Sequence, residues 1–234
     1  MNSNFKIVNL NTNTVWESPN LPVGWINIGN VPFELKSSKG GLAINRTAPS
    51  KKNNLRSRDL YVDVQGVRSV YFLINTSFGL RVNGGHEWEG CQVGSILVSA
   101  MNGDTVERPL ILGVNIRDWY RGFQPHAVFK LEDEEAVEAF YNEKTGESID
   151  MLEIELPTAM HLGRISIEAR LESPIPLEPA TLHDIKAELV ETALPAEGKK
   201  KPKTEFSAEL VGEPIETSYP RVQVLGITCK TSGY

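Results

Sequence analysis

Short runs of alternating apolar and polar residues recur along this chain, separated by Gly, Asn, Pro and Ser. Phe5-Lys-Ile-Val-Asn-Leu10 opens the series, and Trp25-Ile-Asn-Ile28, Pro32-Phe-Glu-Leu35 and Leu42-Ala-Ile-Asn45 follow. Leu60-Tyr-Val-Asp-Val64 alternates again, and Gln65-Gly66 reads as a turn into Val70-Tyr-Phe-Leu-Ile74. A period of two puts every second side chain on one face, so these runs predict half-buried strands. The Val70–Ile74 run is different. It is continuously apolar and rich in β-branched and aromatic residues, which predicts a strand covered on both faces. Val70, Phe72 and Ile74 are expected in the core, with Tyr71 and Leu73 covered by a second sheet or by loops.

Two apolar strands between Ser95 and Leu112 flank Asn102-Gly103-Asp104, a strong hairpin signal. The hairpin is expected centrally in a sheet, with Gly103 at positive φ. Met151-Leu-Glu-Ile-Glu-Leu156, the run Arg164 to Leu171, and Arg221-Val-Gln-Val-Leu-Gly-Ile-Thr228 supply later strands. Helix signals are few. Glu132-Asp-Glu-Glu-Ala-Val-Glu-Ala-Phe-Tyr141 carries acids in what would be a first turn, as the helix dipole prefers, and Val137, Phe140 and Tyr141 would form its apolar stripe. Leu182–Leu189 fits helix or strand. The basic, Gly- and Pro-containing stretch at about 196–204 reads as an exposed loop. The predicted fold is all-β: a β-sandwich of jelly-roll type, forming one domain over 1–234 with a small helical insertion at about 123–150.

The chain has 234 residues, 40% hydrophobic and 23% charged, enough for a sizeable core and ordinary for a globular protein. A formal charge of −6, without a basic face, argues against nucleic acid as the main partner. Two cysteines, Cys91 and Cys229, make no disulfide framework, although nothing forbids their pairing. No apolar run approaches the roughly 20 residues of a membrane span, so no membrane partner is expected. The N-terminus shows no basic region followed by an apolar stretch, so the chain is expected to be either cytoplasmic or a fragment of an exported protein, and the sequence favours neither.

One ordered set of segments resembles a known family. Gly24-Trp25 comes with Ile28-Gly-Asn-Val-Pro-Phe-Glu-Leu35, followed by Val70-Tyr-Phe-Leu-Ile-Asn-Thr76. A Trp/Gly loop, Gly94-Ser-Ile-Leu-Val98, a Gly-Asp-Thr turn and Asn115-Ile-Arg-Asp-Trp119 complete it. Over about residues 20–122 this is similar to the galactose-binding-domain-like β-jelly rolls, carbohydrate-binding modules found beside glycoside hydrolases. The resemblance implies a jelly roll and sugar binding without catalysis.

The residues themselves offer a compatible site. Sugars present apolar C–H faces and a rim of hydroxyls, so a binding site needs an exposed aromatic platform and a few planar hydrogen-bonding groups. Trp88 lies in the loop Asn83-Gly-Gly-His-Glu-Trp-Glu-Gly90, and Trp119 and Tyr120 lie in Arg117-Asp-Trp-Tyr-Arg121. Both loops flank the central hairpin, which allows one shared rim. Arg81, Asn83, His86, Asp118 and Arg121 are the polar candidates. The plain alternative makes Trp25 and Trp119 core anchors and the polar residues solvated turn chemistry. Glu87, Glu89 and Asp118 could furnish a pair of carboxylates, but no spacing fixes their geometry, and His86, His126, His161 and His183 form no ligand pattern. No enzyme and no cofactor are predicted. A structural calcium ion on loop carbonyls and Asp59, Asp63 or Asp104 suits the fold class, without a dedicated ligand array. Asn45-Arg-Thr and Asn75-Thr-Ser match the glycosylation pattern, though Asn75 ends a predicted buried strand. The partner is thus a carbohydrate. If the jelly roll instead serves as a packing unit in an assembly, it is another protein.

Overall fold

The computed structural model describes residues 4–10, 23–35, 42–45, 57–78, 89–119, 130–132, 134, 136–144, 146–172 and 220–232. The chain divides into two units, Met1–Glu172 with Ser218–Tyr234 and Ser173–Thr217, and every described residue falls in the first. Leu182–Leu189 and the basic stretch at 196–204 lie outside the described residues.

The described fold is all-β and antiparallel. Its strands are β1 (Phe5–Val8), β2 (Gly24–Ile28), β3 (Val31–Leu35), β4 (Leu42–Asn45), β5 (Ser57–Phe78), β6 (Gln92–Ala100), β7 (Thr105–Ile111), β8 (Ala136–Asn142), β9 (Glu147–Glu172) and β10 (Pro220–Thr231). The large sheet runs β1-β10-β5-β9-β6-β7. On its outer edge β10 carries β4 along Arg221–Val224 and β1 along Ile227–Lys230. On one edge of β9, β8 pairs with the first half and β6 with the second. The hairpin β2–β3 forms a separate small sheet. The large sheet curls on itself: a Cβ placed on Gly94 of β6 would overlap the Glu168 carbonyl and lie 3.0 Å from Val222 Cγ2 on β10, a strand that β6 does not pair with.

Three expectations are corrected. Gln65-Gly66 is not a turn: β5 runs straight through it, and the irregularity appears as register shifts against β9 between Tyr61 and Ser69. Such bulges bend a long strand without ending it. For the same reason Met151–Leu156 and Arg164–Leu171 belong to one strand, β9. Second, no helix occurs over the described part of Glu132–Tyr141; Ala136–Asn142 is β8, paired with the start of β9. A tight turn explains it. Gly146 N donates to Asn142 O at 2.7 Å and Lys144 N to Asn142 Oδ1 at 3.0 Å, closing an Asn-Glu-Lys-Thr-Gly hairpin. Pairing and packing of Phe140 outweigh the acidic first-turn signal. Third, the Asn-Gly-Asp hairpin is not wholly central. β6 is interior, but β7 closes the described sheet, where its Pro109 is tolerated. Asn102–Asp104 does form the turn, with Gly103 at φ 95° and Ala100 N donating to Asp104 O at 2.8 Å.

Two apolar clusters lie on opposite sides of β5. Val70, Phe72 and Ile74 point into the larger one with Ile96, Val98, Leu152, Ile165, Ile167, Val222 and Val224. Tyr71 and Leu73 point into the other, where Val31, Phe33 and Leu35 of the small sheet cover them. The continuous apolar run is therefore buried on both faces, as its composition requires. Trp25 is not a core anchor. It is 54% exposed, because Ile26 and Ile28 take the inward positions of β2 and leave Trp25 and Asn27 outward. Among the described residues no helix is long and apolar enough to cross a membrane.

Two substitutions test this core. Phe72→Ala should lower unfolding stability by about 3–5 kcal/mol in urea titration, because the site is fully buried and cannot collapse cheaply. A loss below about 1 kcal/mol would place the strand at an edge. Gly103→Val meets nothing within 4 Å, so only backbone strain opposes it. A loss of about 1–3 kcal/mol is expected, and an unchanged melting temperature would contradict the turn geometry.

Candidate functional site

The pairing of β5 with β9 stops at Ile74 and Asp150. Beyond that point the segment Ile116–Trp119 lies between them. Thr76 N donates to Arg117 O at 3.0 Å, Trp119 N to Thr76 O at 2.9 Å, and Ser148 N to Trp119 O at 2.6 Å. Thr76 and Asp118 form a parallel bridge, and Ser148 Oγ donates to Asp118 O at 3.2 Å. Asn115 holds the turn that delivers this segment. Its Oδ1 accepts from Ile111 N at 2.8 Å and its Nδ2 donates to Pro109 O at 2.9 Å.

Arg117 anchors the segment from below. Its Nε donates to Asp150 Oδ1 and Oδ2 at 3.1 and 3.0 Å, and its Nη2 to Asp150 Oδ1 at 2.7 Å and Glu138 Oε2 at 2.8 Å. Asp150 is 0% exposed and Arg117 is buried, while Glu138 is half-exposed. Burial pushes the Asp150 carboxyl up to about 6, and the Arg117 guanidinium limits the rise. The carboxylates hold Arg117 firmly charged.

The two predicted binding loops share this base. The stretch 79–88 starts just past Thr76, and 120–129 starts just past Trp119, so the Thr76–Asp118 bridge sets their starts side by side. They also return together. Lys130 Nζ pairs with Glu89 and with Glu132 at 2.9 Å. Gly90 N donates to Leu112 O at 2.8 Å, and Glu132 N to Val114 O at 2.9 Å. Described residues flanking both stretches are thus bonded to the single run Leu112–Trp119.

Of the predicted site residues, Asp118 is buried and Trp119 is half-buried. Arg81, Asn83, His86, Trp88, Tyr120 and Arg121 lie outside the described residues. The strongest polar feature the sequence reading missed is the facing pair Asn75–Gln223 on β5 and β10. Both are buried; Asn75 Nδ2 donates to Ser148 O at 3.1 Å, while Asn75 Oδ1 and both Gln223 side-chain polar atoms lack partners. Polar residues mid-strand between Ile74 and Thr76 and between Val222 and Val224 were the available signal. Burial of Asn75 also makes it a poor glycosylation acceptor. Cys91 and Cys229 are free, buried thiols; burial raises both and pushes Cys229 up to about 12. The aspartates considered for calcium have other partners: Asp59 faces Arg164, Asp63 faces His161, and Asp104 accepts from Asn102. Among the described residues no group of three or more His, Cys, Asp or Glu is placed to hold a metal ion.

Compared with known proteins, the chain matches no family model, no curated protein and no solved structure.

The Arg117–Asp150 pair makes stability depend on pH. The folded carboxyl, at about 6, lies above its usual 3.8. The folded state therefore holds a proton that the unfolded chain has released, and stability from this group is full below about 3.8 and lost as pH rises through about 6. Arg117→Met removes the counter-ion and should cost about 3–5 kcal/mol at pH 8. At pH 5 the loss should be smaller, since Asp150 then takes up a proton. Equal losses at pH 5 and pH 8 would show that the pairing is not electrostatic.

Proposed function

We propose that this chain is a non-catalytic carbohydrate-binding module built on a jelly-roll β-sandwich, similar to the galactose-binding-domain-like family. One observation supports the reading: described residues on either side of the stretches that carry Arg81, Asn83, His86 and Trp88, and Tyr120 and Arg121, are paired, Thr76 with Asp118 and Glu89 with Lys130. A sugar site needs aromatic faces and planar hydrogen-bonding groups converging on one rim, and loops hung from a rigid base supply that. Arg117, Asp150 and Asn115 hold the base. Asp118 is buried in it, and Trp119 is half-buried.

The second reading, an assembly module with a protein partner, draws on the exposed Val23 and Trp25 beside the small hairpin sheet. Light scattering separates the two, since assembly requires mass to rise with concentration.

Trp88→Ala should weaken binding on a glycan array at least about tenfold while leaving the melting temperature unchanged, because a platform residue contributes to affinity and little to the core. A folded variant that binds every glycan at wild-type strength would remove Trp88 from the site. A wild-type protein that binds no glycan and grows in mass with concentration would leave assembly as the better reading.

A further inference from the structure

The far end of β5 presents a second surface that the loop rim does not include. Cross-strand pairing aligns three rows of side chains on one outward face: Ser57, Glu168, Ser95 and Pro109; Asp59, Ser166, Leu97 and Glu107; and Tyr61, Arg164, Ser99 and Thr105. Tyr61 is 81% exposed, the highest value among the exposed large apolar side chains of the described residues. Its neighbours along β5, Asp59 and Asp63, are partly and largely exposed. Arg164 Nη1 lies 3.8 Å from Asp59 Oδ2, and His161 Nε2 lies 2.6 Å from Asp63 Oδ1. Ser99, directly opposite Arg164, is only 7% exposed, and its Oγ has no hydrogen-bond partner.

We infer that this face is a glycan-binding site, separate from the loop rim, that takes a chain of neutral hexoses. The exposed phenol ring offers a platform for the C–H face of a pyranose. Around it stand carboxylates that accept from sugar hydroxyls, and a guanidinium and an imidazole that donate. Charge selects the class of glycan. Asp59, Asp63, Glu107 and Glu168 outnumber Arg164 and His161, so uronates, sulfated sugars and phosphates are repelled. The surroundings also disfavour a protein partner. Protein interfaces centre on contiguous apolar area, and Tyr61 stands among hydrogen-bonding groups with only the half-buried Leu97 nearby. Ser57, Asp59 and Tyr61 on β5 and Thr105, Glu107 and Pro109 on β7 are exposed at the two ends of the rows, which suits the interior of a linear chain more than a buried terminal residue.

Affinity electrophoresis of the full chain through gels containing a neutral polysaccharide (mixed-linkage glucan, mannan or xyloglucan) tests this, beside a gel containing polygalacturonate. The wild type should be retarded by at least one neutral polymer and not by the acidic one. Tyr61→Ala should weaken that retardation about tenfold with an unchanged melting temperature. Tyr61→Phe should keep it, since stacking needs the ring and not the hydroxyl. Trp25→Ala, an exposed aromatic outside both surfaces, should leave it intact, which ties the effect to this face. Wild-type retardation in folded Tyr61→Ala, loss in Trp25→Ala but not in Tyr61→Ala, preference for the acidic polymer, or no retardation in any neutral polymer would each overturn the proposal. So would a Tyr61→Ala change in oligomer size without any glycan effect, which would make the face a protein contact.

Discussion

Burial of both faces of Val70–Ile74 is the constraint on which the described structure depends. An ordinary half-exposed strand needs one apolar layer; this one needs two, and the chain builds one on each side. The larger cluster forms where the curled sheet folds over Val70, Phe72 and Ile74. The smaller forms where β2–β3 lies against Tyr71 and Leu73. A two-stranded hairpin is marginal alone in water, so Ile26, Ile28, Phe33 and Leu35 hold their positions because β5 gives them a face to cover. Fully burying each such side chain contributes roughly 1.5–3 kcal/mol, and the smaller sheet therefore depends on the larger.

The same strand sets up the candidate site. Where β5 and β9 part beyond Ile74 and Asp150, their backbone groups need new partners, and Ile116–Trp119 supplies them. Inserting that segment brings a guanidinium into the interior, which is stable only because Asp150 and Glu138 meet it. A charged anchor beneath a hydrogen-bonded splice is stiff, and stiffness at the base is what a proposed binding rim of two loops requires.

Much of this was legible in the sequence. Alternation located β1 to β4, and the unbroken apolar run foretold two-sided burial. Asn102-Gly103-Asp104 marked its turn. What was misread has a common physical origin. Gln65-Gly66 and the interval between Leu156 and Arg164 look like breaks, yet bulges let β5 and β9 bend through them, and only tertiary pairing shows which outcome holds. Ala136–Tyr141 has helix-like acids ahead of it, but Asn142 and Gly146 close a hairpin whose partner strand decides the conformation. In Arg117-Asp-Trp the residue types suggested a ligand rim. Arg117, which was not among the candidate ligands, turns its charge to Asp150, thirty-three positions away, and no local pattern reveals such a pairing. Trp25 was assigned inward from its size, although the phase of β2, set by Ile26 and Ile28, turns it outward.

The most direct measurement is a titration of the isotope-labelled protein with neutral oligosaccharides, following the tryptophan indole N–H resonances, because it asks whether the two loops act as one rim. The Trp88 and Trp119 signals should move together and yield one dissociation constant, while Trp25 stays still. Movement of one without the other, or of neither with any glycan, would contradict a shared carbohydrate site above the Arg117–Asp150 anchor.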